Sequence, residues 1–133
     1  MFDDINDLAQ RFRRRMQNGD VLVGGWLTVR SPEIAEALAT TGVSWIAADL
    51  EHGSLDIGAT ATSFVAMERH GVVPFARMTV ADPAQARRLL DMGAQGLLVP
   101  VVESADEFAE FAKACFYPPA GTRGSALGRF NKW

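Results

Sequence analysis

Four times along this chain an apolar run gives way to a segment whose apolar residues recur at helical spacing, and this alternation constrains the fold more than any other feature. Val21 to Leu27, Val43 to Ala48, Val72 to Arg77 and Gly96 to Val102 read as strands. Their apolar residues follow one another without polar interruption, the pattern of strands buried on both faces. The intervening segments carry helix signals. Ser31-Pro32-Glu33 supplies an N-cap serine, a proline at the first helical position and an acid in the first turn. A second helix covers roughly Asp56 to His70. Asp82-Pro83-Ala84-Gln85 and Ser104-Ala105-Asp106-Glu107 have capping-box spacing. Gly42, Gly71 and Gly93 stand where three of the helices return to strands. A further amphipathic helix precedes the first strand, with Ile5, Leu8, Phe12 and Met16 on one face and Asn18-Gly19 at its end.

Such alternation calls for a parallel sheet with right-handed crossovers. Two architectures satisfy it: an open four-stranded sheet with helices on both sides, or a consecutive arc of a closed barrel. The 133 residues are about half of the roughly 250 that a (β/α)8 barrel uses. No Gly/Ser linker or low-complexity stretch divides them, so residues 1–133 read as one structural unit.

Charge and composition narrow the function classes. Thirteen Lys+Arg against sixteen Asp+Glu give a net charge of −3, which argues against a nucleic-acid partner. The cluster Arg11, Arg13, Arg14 and Arg15 follows Asp3, Asp4 and Asp7 and reads as a solvated helix face. No apolar stretch approaches the roughly 18 residues of a membrane span. Met1-Phe2-Asp3-Asp4 lacks the basic start of a signal peptide, so no membrane and a cytoplasmic location are expected. The single cysteine, Cys115, excludes an intrachain disulfide and reads as a small buried residue.

Polar residues gather where strands end. Asp49, Glu51 and His52 follow the second strand, Arg77 closes the third, and Glu103 follows the fourth. In a parallel α/β sheet these positions share the carboxyl edge, where active sites form. Asp49-Leu50-Glu51-His52-Gly53 is the densest cluster. A carboxylate beside an imidazole makes a general base near neutral pH, and the same residues serve a divalent metal, or simply cap the next helix. Arg77 either offers fixed donors to a carbonyl or carboxylate oxygen or forms a structural pair with Asp49 or Glu51. Asp91 lies in the last turn of a helix, where an acid opposes the dipole and suggests an external partner. The proline-stiffened loop Tyr117 to Gly124 places Arg123 near the carboxyl edge or at a subunit contact. Trp26 and Trp45 line a core or a pocket. No strand is followed by a dinucleotide fingerprint or a P-loop.

Gly24-Gly25-Trp26, Asp49-Leu50-Glu51-His52-Gly53, Arg77, Leu89-Leu90-Asp91-Met92-Gly93-Ala94-Gln95-Gly96, Val99-Pro100 and Tyr117-Pro118-Pro119-Ala120-Gly121-Thr122-Arg123-Gly124 together resemble the N-terminal half of the HpcH/HpaI aldolases. These are metal-dependent class II pyruvate aldolases. The resemblance implies a (β/α)8 TIM barrel, here about four βα units (a half barrel) preceded by an N-terminal helix. It implies retro-aldol cleavage of a 4-hydroxy-2-oxo acid to pyruvate, or a related oxo acid, and an aldehyde. By the same resemblance His52 is the catalytic base with Asp49 as its partner, and Arg77 contacts the oxo-acid carbonyl and the developing enolate. Arg77 and Trp26 are the implied substrate contacts. Glu51 is a supporting carboxylate near metal-bound water, and Asp91 and Arg123 are implied subunit contacts in a homo-oligomer. A divalent cation, Mg²⁺ or Mn²⁺, is implied, although the family's direct metal ligands correspond to positions beyond Trp133. The chain is therefore expected to require a complement, either a second copy or a second half barrel. The alternative is a non-catalytic fragment acting in assembly or ligand binding. A weaker third option is an acyl-CoA lyase, against which Glu51-His52-Gly53 favours the aldolase branch.

Overall fold

The four helices that alternate with the strands each begin where a short polar side chain takes up free backbone N–H groups. The structure, a computed structural model, describes residues 5–129, with side chains from Leu8 onward. Met1 to Asp4, Phe130 to Trp133 and the side chains of Ile5 and Asp7 thus lie outside the described residues. In chain order the elements are α1 (Ile5–Gln17), β1 (Gly24–Leu27), α2 (Pro32–Ala39), β2 (Trp45–Asp49), α3 (Ile57–Arg69), β3 (Val73–Arg77), α4 (Pro83–Asp91), β4 (Gly96–Leu98) and α5 (Ala105–Ala112). The Ser31 hydroxyl accepts from the Ile34 amide at 3.2 Å and Ser104 from Glu107 at 3.1 Å. Asp56 accepts from Ala59, and Asp82 from Ala84 and Gln85. Gln85 does not return to Asp82 as a full capping box requires; its Oε1 accepts from the Thr79 amide.

All three strand pairings are parallel and the order is β1-β2-β3-β4. Every crossover therefore steps one strand in the same direction. An open doubly wound sheet reverses its order partway; this one does not, so the arrangement is the arc of a barrel. Register separates two faces. Leu27, Ala48, Ala76 and Leu97 align on one and pack, with Ile46, against Ala35, Ala39, Phe64, Met67, Ala86, Leu89 and Phe111. That face meets the helices and holds the main core.

The other face is aromatic at its amino end. Trp45 and Phe75 have ring centroids 5.3 Å apart, Trp26 joins Trp45 at 6.5 Å, and Phe12 of α1 meets Phe75 at 5.6 Å. These rings fit because glycine stands beside them. Gly24 is the register partner of Trp45 and Gly96 that of Phe75. A Cβ on Gly24 would lie 2.0 Å from the Trp45 ring, and one on Gly96 2.2 Å from the Phe75 ring.

The strands are shorter than the apolar runs suggest. β1 starts at Gly24 rather than Val21, and Val21 is 86% exposed. β4 stops at Leu98, and Val101 is 81% exposed. Among the described residues both are edge strands paired on one side only, and Val21 and Val101 beyond their ends stand in solvent. Cys115 sits not in α5 but in the 3-10 turn Lys113–Cys115; burial raises its thiol pKa, with the charge of Arg123 opposing. At the amino edge Glu68 is buried with Arg129 and Gln95 as partners, and burial raises its carboxyl pKa against those contacts. Among the described residues no helix is long and apolar enough to cross a membrane.

Replacing Gly24 with alanine forces the Trp45 ring out of its place. It is expected to destabilise the chain by about 2 kcal/mol, read as a lower urea midpoint with unchanged m-value.

Candidate functional site

Asp49 is the last residue of β2 and Arg77 the last of β3, and the two are register partners. Neighbouring parallel strands that stop in register place their final side chains together at the carboxyl edge. Arg77 donates to Asp49 through both ends of its fork: Nε to Oδ1 at 3.0 Å and Nη2 to Oδ2 at 2.6 Å. This bidentate geometry is the strongest form of the pair. Asp49 accepts three further bonds, from the Trp26 indole Nε1 at 2.9 Å and from the backbone amides of Glu51 and His52, each at 3.0 Å. An aspartate commonly binds amides two and three residues ahead of it, and here that turn carries the chain off the strand. Gly53 completes it: a Cβ there would lie 2.3 Å from the Asp49 carbonyl oxygen and 2.9 Å from that of Thr28.

The carboxylate is 2% exposed. Burial pushes its pKa up, but Arg77, the His52 amide, the Trp26 indole and the Glu51 amide pull harder, and the net position is well below the usual carboxylate range. The Asp49 bond correspondingly raises the pKa of Arg77, against desolvation and with help from the charges of Asp49 and Glu51.

The remaining site residues gather around this pair. Glu51 Oε2 stands 3.3 Å from Arg77 Nη1 and 3.7 Å from His52 Nε2. The His52 side chain is 70% exposed and projects toward solvent. Asp49 meets His52 at the backbone amide, while its side-chain oxygens are occupied by Arg77 and Trp26; the imidazole's carboxylate neighbour is Glu51. The structural pairing of Arg77 with both acids is thus realised. Trp26, 43% exposed, lies with its ring centroid 5.2 Å from the Arg77 guanidinium carbon.

Asp91 and Arg123 are brought together elsewhere. Arg123 donates to Asp91 at 2.7 Å and lies 4.8 Å from the Tyr117 ring centroid. Asp91 ends α4, which runs from the carboxyl edge back to the amino edge, so this pair is at the opposite end of the sheet from Asp49. Of the two placements expected for Arg123, the carboxyl edge is therefore corrected. The cation of Arg123 also answers the unfavourable position of Asp91 on the helix dipole.

Among the described residues no group of three or more His, Cys, Asp or Glu side chains converges as a metal site. Asp49 has no free oxygen, and Glu51 with His52 makes at most a pair, so this donor set does not fit a metal by itself. Two contacts escaped sequence reasoning: the Trp26–Asp49 bond and the Glu68–Gln95–Arg129 cluster. Both join residues far apart in the chain, and no spacing rule relates them.

Because the folded Asp49 pKa is lowered, the pair's stabilisation is complete above the unfolded value near 3.8 and is lost as pH falls below it. Asp49→Asn is expected to cost about 3 kcal/mol at pH 7 and to flatten the decline in stability below about pH 4. Urea titrations of both proteins across pH 2 to 7 measure this.

Residues 22–129 match the model of the HpcH/HpaI aldolase/citrate lyase family. The chain is 38% identical over 127 residues to a hydroxypyruvate/pyruvate aldolase of Pseudomonas aeruginosa, covering 94% of this chain and 47% of that protein. It is 40% identical over 128 residues to a 4-hydroxy-2-oxo-heptane-1,7-dioate aldolase of Escherichia coli, covering 95% and 49%. A solved HpcH/HpaI aldolase/citrate lyase family protein from Burkholderia cenocepacia superposes with a TM-score of 0.80 at 31% identity, covering 87% of this chain and 48% of that one. The chain spans about half the length of the curated relatives it matches. Its four consecutive βα units are half of a (β/α)8 barrel, and the chain belongs to the HpcH/HpaI aldolase/citrate lyase family.

Proposed function

We propose that this chain carries the base and the arginine of a pyruvate-type aldolase, a carbon–carbon lyase acting on 4-hydroxy-2-oxo acids. The observation that carries the reading is the Asp49–Arg77 pair, held rigid at the carboxyl edge beside an exposed imidazole. The names of the relatives support the substrate class.

The chemistry follows from the groups present. A guanidinium has five N–H donors; Asp49 and Glu51 engage three of those of Arg77, leaving two for an oxo-acid oxygen. In the retro-aldol direction His52 takes the proton of the C4 hydroxyl. The C3–C4 bond breaks, its electron pair moves onto the C2 carbonyl, and an aldehyde leaves. Arg77 stabilises the oxygen of the resulting enolate, which is then protonated at C3 to give pyruvate or its analogue. Asp49 holds the Arg77 fork in place and accepts from the His52 amide, and Trp26 borders the same substrate space. A divalent cation belongs to the family resemblance; the described residues offer no full donor set for it, and no step is assigned to it.

His52→Ala is expected to lower metal-supported pyruvate release from a 4-hydroxy-2-oxo acid by about 100-fold or more, with the fold intact by circular dichroism. Equal release by both proteins, or none by the unaltered chain with any divalent metal, overturns the catalytic reading.

The second reading is an assembly or binding role without catalysis, and the exposed edges of β1 and β4 are the observation behind it. Under either reading the β1 and β4 edges, unpaired among the described residues, suit pairing with a second copy or a second half barrel. Sedimentation velocity is expected to show a dimer or larger species; a folded monomer at all concentrations contradicts this.

A further inference from the structure

Trp26 stands on β1 and Arg77 on β3, with β2 between them, yet ring and guanidinium are in contact range at 5.2 Å. The register explains how. Trp26 is level with Ala47 of β2, which is level with Phe75 of β3. All three point to the same face of the sheet, and at Ala47 the face carries only a methyl group. The indole therefore leans across β2 without obstruction and reaches the end of that strand. There its N–H meets Asp49 Oδ2, the oxygen that also takes Arg77 Nη2.

That single indole makes two contacts of different kind on one ion pair. Its N–H holds the carboxylate oxygen that Arg77 grips, and its π face lies against the cation itself. Asp49 cannot rotate about its terminal torsion without losing the indole bond, both arginine bonds and two amide bonds together. Arg77 is 23% exposed, and among the described residues Glu51, at 3.3 Å, is the other carboxylate beside it.

We propose that Trp26 is a positioning residue: its indole N–H locks the Asp49 carboxylate and thereby fixes the direction in which Arg77 presents its free donors. This goes beyond a substrate contact, because it acts through Asp49 and operates with no ligand bound. It rests on the aldolase reading only for its consequence, a correctly aimed enolate donor. The geometry itself is testable without turnover.

The test is proton exchange by NMR on the full chain. First, the Trp26 Nε1–H of the unaltered protein is expected to exchange at least about tenfold more slowly than a solvent-exposed indole, although the residue as a whole is 43% exposed. Second, Trp26→Phe keeps an aromatic ring at this position and removes the N–H donor together with part of the indole's volume. It is expected to speed exchange of the Arg77 Nε–H by about tenfold, while β2 and β3 amides keep their protection. An indole proton exchanging at the solvent rate overturns the proposal. So does a folded Phe variant with the unaltered Arg77 rate, because that outcome leaves Trp26 a packing residue only. The indole measurement needs no variant and stands even where Trp26→Phe does not fold. Loss of pyruvate release in every assay would sink the aldolase reading and leave both exchange results untouched.

Discussion

The Asp49 carboxylate accepts five hydrogen bonds, from Arg77 twice, Trp26, Glu51 and His52, and the carboxyl edge of this sheet is organised around it. Those donors come from β1, β3 and the turn after β2, while Asp49 itself ends β2. One buried charge thus ties three strands together where their ladder ends. Removing any donor leaves the charge less compensated, and removing the charge leaves Arg77 without its bidentate partner. Electrostatics at this end of the sheet does what aromatic packing does at the other.

The aromatic end obeys a steric rule. Trp45 and Phe75 lie over Gly24 and Gly96 because a single Cβ at either glycine would enter the ring. The face opposite the helices therefore grades from rings beneath α1, through Ala47, to the ionic pair. The short Ala47 side chain lets Trp26 belong to both ends at once, touching Trp45 through its ring and Asp49 through its N–H. Packing and candidate chemistry share that residue.

Much of this was legible in the residues. Ser31, Asp82 and Ser104 cap helices as their positions suggest, because capping depends on a few consecutive residues. The carboxyl-edge placement of Asp49, Glu51, His52 and Arg77 followed from strand ends in a parallel sheet. Strand lengths were less legible. Val21 and Val101 look like strand residues, but an edge strand lacks the neighbour that would bury them. Arg123 was open between two placements, and only its contact with Asp91 put it at the amino edge.

By itself the sequence determined the βα order, the parallel sense, the helix caps and the set of polar residues at the strand ends. These rest on local periodicity and short-range hydrogen bonding. Only the tertiary structure decided which of those residues hold one another. That Asp49 spends its oxygens on Arg77 and Trp26 while Glu51 is the carboxylate nearest the His52 imidazole depends on strand register and on the open space above Ala47. Partner choice at a buried charge is settled by whichever donors the packed sheet brings within about 3 Å, and linear spacing carries no record of that distance.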